Sequence, residues 1–127
     1  MFVRNLNDCK VITAIDGTIL REILNPLHDD TDLKLGYSIA HARIPVGEAS
    51  FPHRLTKASE VYYILQGKGL MYIEGKTHEV HSGSLIYVPP MATQHLENTG
   101  EEDITFLCIV DPYWQPEDEE LVGDETK

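Results

Sequence analysis

No apolar run in this sequence is long enough to cross a bilayer. The longest, around Ile104–Val110, is roughly a third of what a spanning helix needs. Basic residues are scarce too, with ten Lys and Arg against twenty-one Asp and Glu and a net charge of −11. Such a chain is repelled by phosphate backbones and anionic membrane surfaces, so neither nucleic acid nor membrane is an expected partner. Cysteine is limited to Cys9 and Cys108. Met1 to Thr13 hold no apolar segment ahead of a small-residue cleavage site, so a cytoplasmic location with both thiols reduced is expected. Low-complexity tracts, fixed-period repeats, phosphate-cradling glycine loops, Cys-x-x-Cys pairs and a Ser-His-Asp arrangement are all missing.

What is present is a succession of short β-forming runs separated by turns. They read as Val11–Ile15, Thr18–Ile23, Leu35–Ile44, Glu60–Leu65, Leu70–Ile73, Thr77–Val80, Ser84–Val88, Gln94–Asn98 and Ile104–Val110. Asp16-Gly17, Gly67, Gly75, Gly83 and Gly100 punctuate them, as tight reversals require. Many short strands at turn spacing predict an all-β sandwich or barrel, and 127 residues suit one domain. Sustained 3.6-residue periodicity is absent. The best helical candidates are a turn near Leu20–Leu27, ended by Pro26, and a short start at Pro116. Residues 111–127 carry seven acids against Lys127. They are expected to form a solvated acidic tail beyond a barrel spanning residues 1–110.

Two stretches carry the chemistry. Gly47, His53, Glu60 and Gly67 stand at regular offsets in the first, and Gly83, Pro89, Gln94 and Asn98 in the second. Both resemble the two signature motifs of the cupin superfamily. The first of these is a Gly, five residues, His-x-His, three or four residues, Glu, six residues, Gly. The second is a Gly, five residues, Pro-x-Gly, two residues, His, three residues, Asn. The resemblance implies a double-stranded β-helix, the small jelly-roll barrel. In the family, the three His and the Glu usually hold one divalent metal (Mn, Fe, Co, Ni or Zn) at the barrel centre, and imidazole with carboxylate suits those ions.

The carry-over is partial. His53 and Glu60 occupy ligand positions, Leu55 replaces the second His, Gln94 replaces the third, and Met91 replaces the motif Gly. Anchoring on Pro90 instead would place His95 in the ligand slot, at the cost of the Gly83 and Asn98 spacings. Gln94 and His95 must face opposite sides of a strand, so at most one of the two points inward. The reduced metal set is therefore read as His53, Glu60 and Gln94, with His41, Arg43, Leu55, Tyr62 and His95 as pocket-lining candidates. Cys108 on a buried strand is read as apolar filler. The expected function is binding of a small molecule around that metal. A metal-free sensor or carbohydrate-binding module and a metal-dependent isomerase or dioxygenase are the alternatives. The resemblance also implies a homodimer, for which Tyr113-Trp114 is the candidate contact.

Overall fold

Every second side chain along Ile104–Asp111 is apolar and buried: Ile104, Phe106, Cys108 and Val110 point one way, while Thr105, Leu107 and Ile109 are half-buried on the other. That alternation makes it a central strand. The computed structural model describes residues 1–123. In chain order its strands are β1 (Val11–Thr13), β2 (Ile19–Leu24), β3 (Ser38–Ile44), β4 (His53–Leu55), β5 (Ser59–Gln66) and β6 (Lys68–Ile73). They continue as β7 (Lys76–His81), β8 (Leu85–Val88), β9 (Gln94–Asn98), β10 (Ile104–Asp111) and β11 (Glu119–Leu121). All pairings are antiparallel, in a six-stranded sheet of order β1-β2-β3-β10-β5-β8 and a five-stranded sheet of order β11-β4-β9-β6-β7.

Each of the nine expected runs overlaps a strand, and the all-β barrel is the fold observed. The core lies between the inner faces. Ile44, Tyr62, Ile64, Ile86, Val88 and Phe106 from one sheet meet Met71, Val80 and Leu96 from the other. Tyr62 stacks on Phe106 with ring centroids 5.2 Å apart, a contact that adds to the area both rings bury.

Two expectations require correction. Residues 20–27 form no helix, because Ile19–Leu24 pairs with β3 as a strand. The chain then reverses at Asn25, whose side-chain oxygen accepts from the Leu27 amide at 2.9 Å. The C-terminal segment is likewise no free tail. Pro116–Asp118 forms a 3-10 turn and Glu119–Leu121 adds to the edge of β4. The tail's acids at Asp124 and Glu125, and Lys127, lie outside the described residues. Strands β4 and β11 escaped the sequence reading because each is three residues long and polar, held by its neighbours rather than by its own pattern. Cys9 and Cys108 are both free. Among the described residues no helix is long and apolar enough to cross a membrane.

The motif glycines serve different needs. Gly67 has φ +86°, and a Cβ there would come within 2.7 Å of the Asp103 carbonyl oxygen and 2.9 Å of Ile104 Cα. Gly83 has φ +91° but open space around it. Met91, standing where the motif has Gly, has φ 71°, so that position demands the left-handed conformation and here a side chain adopts it. Gly67→Ala is therefore expected to lose about 2–4 kcal/mol of stability, adding backbone collision to conformational strain, and Gly83→Ala only about 1 kcal/mol. Urea denaturation of the two variants checks the order; equal losses would refute the steric account.

Candidate functional site

The inner face of the six-stranded sheet does not end in packed core throughout. Toward β2 and β3 a cavity of about 430 Å³ opens, closed by the chain before β2 and by the C-terminal segment. Its walls include Ile12, Ile15, Leu20, Ile39, Phe106 and Trp114, and its polar groups include Asp16, His53, Glu60, Tyr62 and Glu119.

His53 is the organising residue. It sits on β4 and is 2% exposed. Its Nδ1 lies 2.7 Å from the Phe51 carbonyl oxygen, which can only accept, so Nδ1 carries the proton and donates. That leaves Nε2 facing two carboxylates, with Asp16 Oδ2 at 3.4 Å and Glu119 Oε2 at 4.0 Å. The other oxygen of each carboxylate is fixed. Asp16 Oδ1 accepts from the Thr18 amide at 3.0 Å and hydroxyl at 2.8 Å. Glu119 Oε1 accepts from Trp114 Nε1 at 3.0 Å. One donor atom from each of Asp16, His53 and Glu119 therefore converges, all within 4.8 Å of one another.

Glu119 is delivered by its neighbour. The Asp118 carboxylate accepts from Thr56 Oγ1 at 2.6 Å and from the Lys57 and Ala58 amides at 2.7 and 3.1 Å. Burial alone would raise the Asp118 carboxyl, but these bonds outweigh it and hold the group below its usual value. The segment 116–121 is thus latched onto the β4–β5 turn.

A second buried chain flanks the cluster. Tyr62 donates to the Gln94 side-chain oxygen, and Gln94 Nε2 donates to Glu60 Oε1 at 2.9 Å. Burial pushes the Glu60 carboxyl up to about 7, against the pull of His53 and the Gln94 amide. Burial likewise raises Glu119, again against His53, and the charge of Asp16 adds to the rise. The Tyr62 hydroxyl and the Cys108 thiol are pushed up by burial first and then by the Glu60 charge.

Of the residues singled out in the sequence, His53, Glu60, Gln94 and Tyr62 come together here. Four others do not. Ser38, Ala42 and Ile44 take the inner positions of β3, which turns His41 and Arg43 outward. Arg43 pairs with Asp103 at 2.9 Å. Desolvation and the charges of Arg21 and Arg43 lower the His41 pKa. Leu55 is buried with Ala58, Val110 and Trp114 behind the cavity wall. On β9, Gln94, Leu96 and Asn98 are buried and His95 faces away, stacked on Tyr72 with ring centroids 4.1 Å apart. Two site residues were missed. Asp16 was read as a turn residue and Glu119 as part of a solvated tail; the one available signal was Thr18 two residues after Asp16, which suits an Asx turn. Trp114 also belongs here, since it lines the cavity.

Comparison with known proteins follows the same lines. A family model described as Cupin domain matches residues 40–110. An uncharacterized protein of Methanocaldococcus jannaschii is 36% identical over 107 residues, covering 84% of this chain and 83% of that protein. An oxalate-binding protein of Thermotoga maritima is 30% identical over 71 residues, which is 56% of this chain and 59% of that one. Among solved structures, a nucleoside dehydratase from Streptomyces superposes with a TM-score of 0.75 at 17% identity, covering 96% of this chain and 91% of that one. At that identity the likeness is one of fold.

The raised Glu60 carboxyl sets a sign for pH dependence. Its folded value of about 7 lies above the ordinary 4.5, so the folded state holds the proton more tightly. That contribution to stability is complete below about pH 4.5 and lost as pH rises through 7. The loss is expected to be about 3 kcal/mol, and Glu60→Gln should flatten the slope and stabilise the protein at alkaline pH. Chemical denaturation across that range measures it; an unchanged slope in the variant would rule Glu60 out as the source.

Proposed function

The chain belongs to the cupin family, and from that premise we propose that its barrel binds a small molecule around a divalent transition metal held by His53, Asp16 and Glu119. The supporting observation is the convergence of Nε2, Oδ2 and Oε2 from those residues, each side chain having its other polar atom anchored. Anchored second atoms are what orient metal ligands, and one imidazole with two carboxylates suits Mn, Fe, Co, Ni or Zn. Glu60 stands beside the set as a further oxygen donor. Gln94, its amide engaged by Tyr62 and Glu60, acts by holding Glu60 in place rather than as a ligand. An ion bound there would act as a Lewis acid on a ligand oxygen, the chemistry that an isomerase would use. With a single His in the set, the two-His facial arrangement favoured for oxygen chemistry is not assembled from it.

A metal-free binding module is the second reading. It is favoured by one observation: among the described residues no buried polar side-chain atom lacks a hydrogen-bond partner. In that reading His53 Nε2 simply faces the Asp16 and Glu119 carboxylates, at 3.4 and 4.0 Å.

The outer face of the six-stranded sheet supports a homodimer in which a second copy covers it. Tyr63 and Leu85 are cross-strand neighbours, as are Val61 and Tyr87. Tyr63, Leu65, Leu85 and Tyr87 are 41%, 42%, 65% and 58% exposed, a contiguous apolar patch of the kind that marks interaction surfaces.

Two measurements test these readings. Calorimetric titration with Mn(II) or Zn(II) should give one site per chain, weakened about 10–100-fold by Asp16→Asn and by Asp118→Ala, which unlatches Glu119, and abolished by His53→Ala. Unchanged affinity in all three, with native circular dichroism, would favour the metal-free module. Light scattering should find a dimer, and Tyr63→Glu with Leu85→Glu a folded monomer. A monomeric parent chain removes the dimer.

A further inference from the structure

The lining of the cavity carries charge of one sign. Asp16, Glu22, Glu60 and Glu119 all contribute to it, and Lys10, exposed at the surface, is the one Lys or Arg among the described lining residues. Its two histidines are engaged: His28 with Glu22 at 2.7 Å, and His53 with the Phe51 carbonyl, Asp16 and Glu119. No cation inside is left to receive an anionic ligand. A divalent ion does not change this, because the charges of Asp16 and Glu119 already cancel it while His53 contributes none. Any ionised Glu60 then leaves the loaded site negative.

Hydrogen-bonding capacity is equally one-sided. Three donors at the polar end are committed, since Thr18 Oγ1 donates to Asp16, Trp114 Nε1 to Glu119 and Tyr62 to Gln94. Beside those donor atoms Glu60 adds a further carboxylate oxygen, and buried acceptors favour a molecule that brings its own donors. The remaining wall is apolar, through Ile12, Ile15, Leu20, Ile39 and Phe106, which suits a ring or hydrocarbon portion.

We infer that the cavity takes an uncharged, hydroxyl-bearing small molecule with an apolar ring, and that its carboxylate-rich lining excludes dianions such as oxalate. The inference rests on the reading of this cavity as the small-molecule site, with or without the ion, and sets this chain apart from the oxalate-binding relative with which it shares 30% identity over 71 residues.

The test is calorimetry on the full chain in three steps. Mn(II) is titrated first, and failure to bind counts against the metal reading alone, since the carboxylates exclude dianions with or without it. Phenyl β-glucoside and 1-phenyl-1,2-ethanediol are then titrated as uncharged probes, and oxalate as the dianion, with bound manganese followed by electron paramagnetic resonance. At least one uncharged probe should bind about ten-fold or more tightly than oxalate, and at about pH 8.5, where Glu60 is ionised, Glu60→Gln should strengthen oxalate binding by about 5–10-fold through loss of one repulsive charge. Oxalate binding as tightly as the uncharged probes with manganese retained, or no binding of either uncharged probe, would overturn the inference.

Discussion

Carboxylates placed inside an apolar barrel are destabilising unless each of their oxygens is answered by a donor, a cation or water. Asp16, Glu60 and Glu119 each have one oxygen held by a donor around a single imidazole, and much of the surrounding structure follows from it. The carbonyl of Phe51 fixes the imidazole, Thr18 fixes Asp16, Trp114 fixes Glu119, and Gln94 fixes Glu60. The cluster sits where the sheets part rather than where they pack, and the apolar contacts of Ile64, Leu96 and Phe106 carry the stability that the cluster does not.

The fold was legible because it is written in side-chain alternation. Along β10 and along β9 every second residue is buried, and a one-residue slip would bring Leu107 or His95 inside. That same alternation decides between Gln94 and His95 and turns His41 and Arg43 outward. The motif alone could not decide it, since spacing measures position along the chain and not facing. Polar three-residue strands were illegible for the complementary reason: nothing in His53–Leu55 or Glu119–Leu121 has a pattern of its own. Their conformation is imposed by neighbours already in place.

The site was legible only in part, and the missing part has a common origin. His53 and Glu60 lie within the family motif and were found by it. Asp16 and Glu119 lie outside the matched residues 40–110, one in a reversal before β2 and the other in an acidic stretch whose composition reads as solvated. Acid-rich composition describes average exposure and says nothing of a single residue carried inward by a latch. Asp118 is that latch. Three hydrogen bonds onto the turn between β4 and β5 convert a segment that would otherwise fray into an edge strand.

This arrangement also explains how the chain can lack half of the family's usual ligands and still concentrate chemistry in its barrel. The motif positions that lost imidazole, Leu55 and Gln94, were not left as vacancies: Leu55 joins a small apolar cluster with Ala58 and Val110, and Gln94 became the hydrogen-bonded link between Tyr62 and Glu60. Donor atoms enter instead from the segments that precede and follow the barrel motif. Replacing neutral imidazoles by carboxylates alters the character of the cavity more than its shape, because each exchange removes a neutral nitrogen and adds a negative charge in a region of low dielectric. A barrel of the same fold can in this way be turned from anions toward uncharged ligands without moving a strand, which is why the fold by itself does not settle what such a cavity binds.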